Sequence, residues 1–220
     1  MIDVEVLLPQ GWLRVPTAPG TQRLRARVVE EVVQRYVPDS LPRDKAGPWR
    51  RELRRSLTEA VEQAADNGAH SVLLPLTEYG GLRLPGSLLL TVLEDDPTVP
   101  AQDLLDDVLL DAGEDGEAVE LGGGRGARVE EVVDARPVGR SQPSVRVVYY
   151  AAHPQEPGVW GLLTYTVLTD GDPMAPVVRA VVAMFDAVVG TLQWVEHDGG
   201  PSEQEVLAQL EALAPAPVRG

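Results

Sequence analysis

The stretch VVRAVVAMFDAVVGTLQWVE, residues 177–196, limits what this chain can become more than any other. Its first part reads as a helix with apolar side chains on nearly every side, broken only by Arg179 and Asp186. After Gly190 it runs into a short strand. A helix this apolar needs cover on more than one side. It is too short, and carries too many charges, to span a membrane. In a chain of net charge −15, the spacing predicts a core helix laid between a sheet and other helices.

A chain of 220 residues forms one large domain, or one domain with an appendage, and buries roughly 70% of its unfolded surface. It therefore needs no covalent staple. With no cysteine, disulfides and thiolate metal sites are excluded, as is a lipid-accepting thiol. The opening MIDVEVLLPQGW lacks the basic segment and long apolar run of a secretion signal. No apolar run reaches the roughly 18 residues of a membrane span. The expectation is a cytoplasmic protein. Residues 1–60 hold 11 Arg/Lys against 8 Asp/Glu, and residues 61–220 hold 8 against 26. That balance argues against nucleic acid as a partner, because such binding depends on neutralising phosphates. Lys45 is the sole lysine, and this bias toward Arg, with abundant Ala, Gly, Pro and Val, suggests a GC-rich, actinobacterial genome.

Periodicity supplies the elements. IDVEVLL and WLRV alternate as strands, closed by Pro9 and Pro16. Leu24, Val28, Val32 and Tyr36 form one stripe of a helix. Trp49, Leu53, Leu57, Val61 and Ala64 form a stripe of a second, with Pro48 in its first turn and Gly68 at its end. HSVLLPLTEY and LRLPGSLLLTVLE read as strands around Gly80-Gly81, weakened at Pro75 and Pro85. A short helix with Leu104, Leu105, Val108 and Leu109 on its apolar face follows. Two hairpins come next, around GGGRG and around HPQEPG. After the hinge HDGGP, Ser202 and Glu205 form a capping box for a last helix bearing Val206, Leu207, Leu210 and Leu213.

A search for chemistry returns little. His70, His153 and His197 lie at element edges with no metal-pairing spacing. Ser87 lacks the G-x-S-x-G context of a nucleophile. GGGRG could cradle a phosphate, but the alternating ARVEEVV after it marks a hairpin loop instead. From Glu94 to Glu120 there are 11 acids and no base. Placed against a calcium-binding loop beginning at Asp111, the stretch lacks the bidentate Glu, so it reads as a solvated acidic face. No catalytic residue, metal or cofactor is assigned.

Two groups of side chains are candidates for binding. Arg50, Arg51, Arg54 and Arg55, with Arg43 upstream, crowd the early turns of the second helix. Like charges at i, i+4 and cations near a helix N-terminus both cost stability, so the cluster reads as a surface for an acidic partner. Its alternatives are pairing with the chain's own segment 94–120 and simple solvation. Tyr149, Tyr150, His153, Trp160 and Tyr165 on the longer hairpin are the candidates for lining a pocket.

The early Pro9, Gly11 and Trp12, the antiparallel hairpins, and the late Phe185, Leu192 and Trp194 together resemble the PsbP-like fold family over residues 2–196. That family includes a photosystem subunit, a Ran-binding nuclear transport factor, actinobacterial lipoproteins and chaperones for secreted toxins. The resemblance implies an α+β fold, an antiparallel β-sheet covered by helices, and a role in binding protein partners rather than in catalysis. Residues 1–196 are the expected domain, and 197–220 a hinge, a capped helix and a tail appended to it. The expected function is a non-enzymatic adaptor or chaperone for a secreted or assembled protein. A small-ligand binder or enzyme with a site between sheet and helices is one alternative. A structural subunit docking through its C-terminal helix is another.

Overall fold

The structure, a computed structural model, describes residues 2–35, 43–76, 78–79, 82–84, 86–134 and 141–196, and positions 204, 206, 208 and 211. His197 and Tyr36 lie outside the described residues, as do the side chain of Arg43 and most of the C-terminal segment.

Seven strands form one antiparallel sheet: β2 (Trp12–Pro16), β3 (Ser71–Pro75), β6 (Gly86–Glu94), β7 (Gly116–Leu121), β8 (Gly124–Val133), β9 (Ser144–Ala152) and β10 (Val159–Leu168). Their spatial order is β2-β3-β6-β10-β9-β8-β7. β1 (Ile2–Glu5) pairs with β11 (Gln193–Glu196) in a separate ribbon, Val4 opposite Trp194. β4 (Glu78–Tyr79) and β5 (Leu82–Arg83) form a second small ribbon between β3 and β6. The helices are α1 (Gln22–Arg35), α2 (Arg43–Asp66), α3 (Ala101–Ala112) and α4 (Pro176–Val189). This is the α+β architecture expected of the sequence.

The alternation of each strand gives the sheet two faces. On the first, the register sets Leu90, Leu163, Tyr149 and Arg128 in one row and Leu88, Tyr165, Val147 and Glu130 in the next. α4 closes this face with Val178, Val181, Val182, Phe185, Val188 and Val189, a spacing of three and four that keeps one side of the helix on the sheet. Phe185 stacks on Tyr165, with ring centroids 4.9 Å apart, and meets Trp12 edge-on at 5.1 Å. Val4 and Leu192, from and beside the β1–β11 ribbon, extend the same core.

α4 differs from its sequence reading in one respect. Among the described residues, no second layer of helices covers it. Ala180, Ala183 and Ala187 face solvent, and Val177 is 49% exposed. Its two charged residues turn inward instead: Arg179 meets Glu130, and Asp186 meets Tyr149, Tyr165 and Arg128. The reason is on the sheet. Two buried tyrosine hydroxyls and a guanidinium need partners, and a charged residue on the helix supplies them where an alanine cannot.

The second face is covered in two places. At the β2–β3 end, α1 and α2 bury Val28, Val32, Val61 and Ala64 against Leu13, Val15 and Val72. Val206 of the C-terminal segment, 0% exposed, is part of this same cluster. The backbone at 204, 206, 208 and 211 is helical, as the capping box predicts. Val206 therefore spends its apolar surface inside the chain. At the other end α3 buries Leu105 on Ala127, Ala152 and Trp160. α2 starts about a turn earlier than Pro48 predicts, so this residue lies inside the helix. β3 ends at Pro75, where a break was expected, and the small β4–β5 ribbon lies between β3 and β6; Gly80, Gly81 and Pro85 lie outside the described residues.

Candidate partner-binding groove

Between its two covered ends, the second face of the sheet reaches solvent. The register places Leu93 opposite Trp160, and Leu162 between Thr91 and Tyr150. Leu93, Tyr150, Trp160 and Leu162 floor an open groove of about 420 Å³. Leu104, Leu105 and Val108 of α3 form its apolar wall, and Glu94, Asp95, Asp107 and Asp111 lie along its lining. The helix stands where it does because Leu105 is anchored over Ala127, beneath the β8–β9 pair, which leaves the end of β6 uncovered. Leu93 is accordingly 43% exposed, although its neighbour Trp160 is buried. An apolar floor ringed by carboxylates suits the grip of an apolar segment.

The first face carries the densest polar network. Asp186 accepts hydrogen bonds from the Tyr149 hydroxyl (2.7 Å) and the Tyr165 hydroxyl, and from Arg128 Nε and Nη2 at 3.3 and 3.2 Å. Arg128 also donates to the Tyr149 oxygen (3.1 Å) and to Glu130 (2.7 Å), and Arg179 completes the set on Glu130. Burial pushes both tyrosine hydroxyls well above their ordinary pKa, and the bonds to Asp186 push the same way. Burial also raises the Glu130 carboxyl, but hydrogen bonds from Arg179 and Arg128 outweigh it and hold it below the usual value. Burial disfavours the Arg128 cation, and its bonds to Glu130 and Asp186 more than restore it. Hydroxyls so reluctant to ionise fit a structural clamp between helix and sheet better than acid–base chemistry.

The five hairpin residues expected to share a pocket are therefore divided by the sheet. Tyr150 and Trp160 line the groove. Tyr149 and Tyr165, the latter 0% exposed, belong to the clamp on the opposite face. Adjacent tyrosines in a strand point to opposite faces, which places Tyr149 and Tyr150 apart. His153 accepts the backbone N–H groups of Gln155 and Glu156 on Nδ1 (3.2 and 2.9 Å), and its ring meets Trp194 edge-on. It is a turn residue. GGGRG is a two-residue turn at Gly122 and Gly123, both with positive φ, and the rest of it is strand. A Cβ on Gly122 would meet Leu192 and Trp194, so that side of the turn is filled by protein.

The Arg cluster is partly used within the chain. Arg54 forms a two-point pair with Glu30 of α1 (2.7 and 3.0 Å), and Arg55 bridges Glu52 and Glu59 on its own helix. Their partners are these, and not the acidic segment 94–120. The Arg54 hydrogen bonds hold the Glu30 carboxyl down at about 2. Arg51 is exposed, and Arg50 is half-buried. Among the described residues, no three His, Asp or Glu side chains gather as a metal site requires, and no helix is long and apolar enough to cross a membrane.

Sequence reasoning missed the groove. Leu93 and Leu162 read as ordinary strand residues, and the acids read as a solvated face. The available signal was the apolar stripe of α3 running beside acids that no base accompanies.

No protein-family model matches the chain, and neither does any curated protein sequence. Among solved structures it is similar to LpqN, involved in cell envelope biogenesis of Mycobacterium tuberculosis, with a TM-score of 0.46 and 10% identity over 89% of this chain and 85% of that one. It is also similar to the Saccharomyces cerevisiae Ran-binding protein Mog1p, with a TM-score of 0.35 and 17% identity over 56% of this chain and 77% of that one. These are likenesses of fold.

Proposed function

We propose that this chain is a non-enzymatic binding protein, an adaptor or chaperone, that holds an apolar segment of a protein partner in the groove between α3 and the sheet. One observation carries the reading. Leu93 stands 43% exposed beside Trp160 and Leu162, in a groove of about 420 Å³ whose wall is also apolar. A chain this acidic has ample polar surface with which to hide such a floor. The lining bears carboxylates at its edge and Leu, Val, Tyr and Trp within, a composition suited to burial rather than to bond-making. Arg51, exposed on α2, is the second place where a partner could be steered.

Affinity capture with the tagged full chain, run beside Leu93→Glu and Arg51→Glu, tests this. A stoichiometric partner lost with Leu93→Glu and kept with Arg51→Glu is the expected result. Loss with Arg51→Glu alone would move the site to α2 and overturn the groove.

A further inference from the structure

Resting on that reading, we infer that the held segment is cationic: a short protein stretch in which Lys or Arg alternates with apolar residues. Its apolar side chains lie on Leu93 and Leu162, and its cations meet Glu94, Asp95, Asp107 and Asp111.

The carboxylates come from two elements, the end of β6 and α3, and converge on one groove. All four are exposed. Among the described residues, no Arg or Lys pairs with any of them. Arg125 is turned to Gln102, and Arg146, on the same face of the sheet, is held by Glu131. Their placement also works against α3. Asp107 and Asp111 repel at i, i+4. Asp111 sits in the last turn, where the helix dipole disfavours an anion and no basic residue offsets it. A cation supplied from outside relieves both penalties, and an apolar neighbour on that segment covers Leu93. An anionic or purely apolar segment would relieve neither.

The probe is a labelled synthetic peptide of alternating Leu and Lys, titrated by fluorescence anisotropy against its Leu–Ser and Leu–Glu counterparts. Four forms of the full chain are compared. They are the wild type, a rim variant (E94Q, D95N, D107N, D111N), a control neutralised elsewhere (E62Q, D66N, D170N, E196Q), and Leu93→Ser. The wild type should bind the Leu–Lys peptide, and the rim variant should bind it about tenfold more weakly or worse. The control should stay within about twofold, because its charges are remote and screened. Equal weakening by rim and control variants means general attraction to an acidic chain, and overturns the inference. If the Leu–Ser peptide binds as tightly as Leu–Lys, and Leu93→Ser weakens both, the groove stands and the cationic preference fails. If Leu93→Ser leaves every affinity unchanged, the groove reading falls, and the inference with it.

Discussion

The two faces of the sheet solve the same problem in opposite ways. On the first face α4 is pinned by both packing and polarity: its valines and Phe185 fill the core, and Asp186 satisfies two tyrosines and a guanidinium at once. On the second face α3 is held chiefly by apolar contact at Leu105, with one exposed hydrogen bond from Arg125 to Gln102, and the neighbouring strand ends remain bare. A network in which one carboxylate answers three buried groups fixes a helix in a single position. A helix that covers only part of a face leaves room for something else. On the proposed reading, the first face serves stability and the second recognition.

The largest effect should come from the clamp. Asp186→Ala removes the acceptor shared by Tyr149, Tyr165 and Arg128, leaving Arg128 to Glu130 and Tyr165 to a 3.4 Å contact with the Val182 carbonyl, and should cost about 3 kcal/mol in denaturant unfolding. A loss below about 1 kcal/mol would break the contrast between the faces. Next is Val206→Ala, at about 2 kcal/mol, because this side chain is fully enclosed among α1, α2 and the sheet. If 197–220 were an independent appendage, the same change would leave monomer stability untouched. Tyr165→Phe removes one hydroxyl while Asp186 keeps its other donors, so about 1 kcal/mol is expected. Leu93→Ser, on the open face, should shift stability by less than about 0.5 kcal/mol while weakening partner capture. A large loss of stability there would make the groove floor part of the core.

The α1–α2 contact gives a pH test. Glu30 titrates near 2 in the folded chain, against 4.5 when unperturbed. A depressed carboxyl pKa contributes stability that is fully present above the unfolded value and is lost as pH falls through the folded one. The Glu30–Arg54 contact should therefore hold at pH 5 and fade between about 4.5 and 2. NMR titration should place the Glu30 midpoint near 2, and Arg54→Ala should move it up toward the ordinary range.

Much of the fold was legible because it rests on local rules. Period-two alternation marked β8, β9 and β10, and the stripe of Leu104, Leu105 and Val108 marked α3. The capping box at Ser202 placed a helix where the described backbone is helical. Other features were not local. Arg179 and Asp186 read as interruptions in an apolar helix, and only the register that brings Tyr149, Tyr165, Arg128 and Glu130 beneath α4 turns them into anchors. The Arg cluster read as a surface for an acidic partner or for segment 94–120 because Glu30 of α1 becomes the neighbour of Arg54 only when the two helices pack, whereas the contacts of Arg55 with Glu52 and Glu59 follow helical spacing that was legible. The groove depends on where α3 stops covering β6, a matter of tertiary placement that no window of sequence encodes.

Amide hydrogen exchange of the full chain, alone and saturated with the Leu–Lys peptide, tests the central claim most directly. Added protection is expected at 93–95, 104–111, 150 and 160–162, with α4 unchanged. Protection on the outer side of α4 or along the Arg-bearing turns of α2, with the groove unchanged, would contradict it.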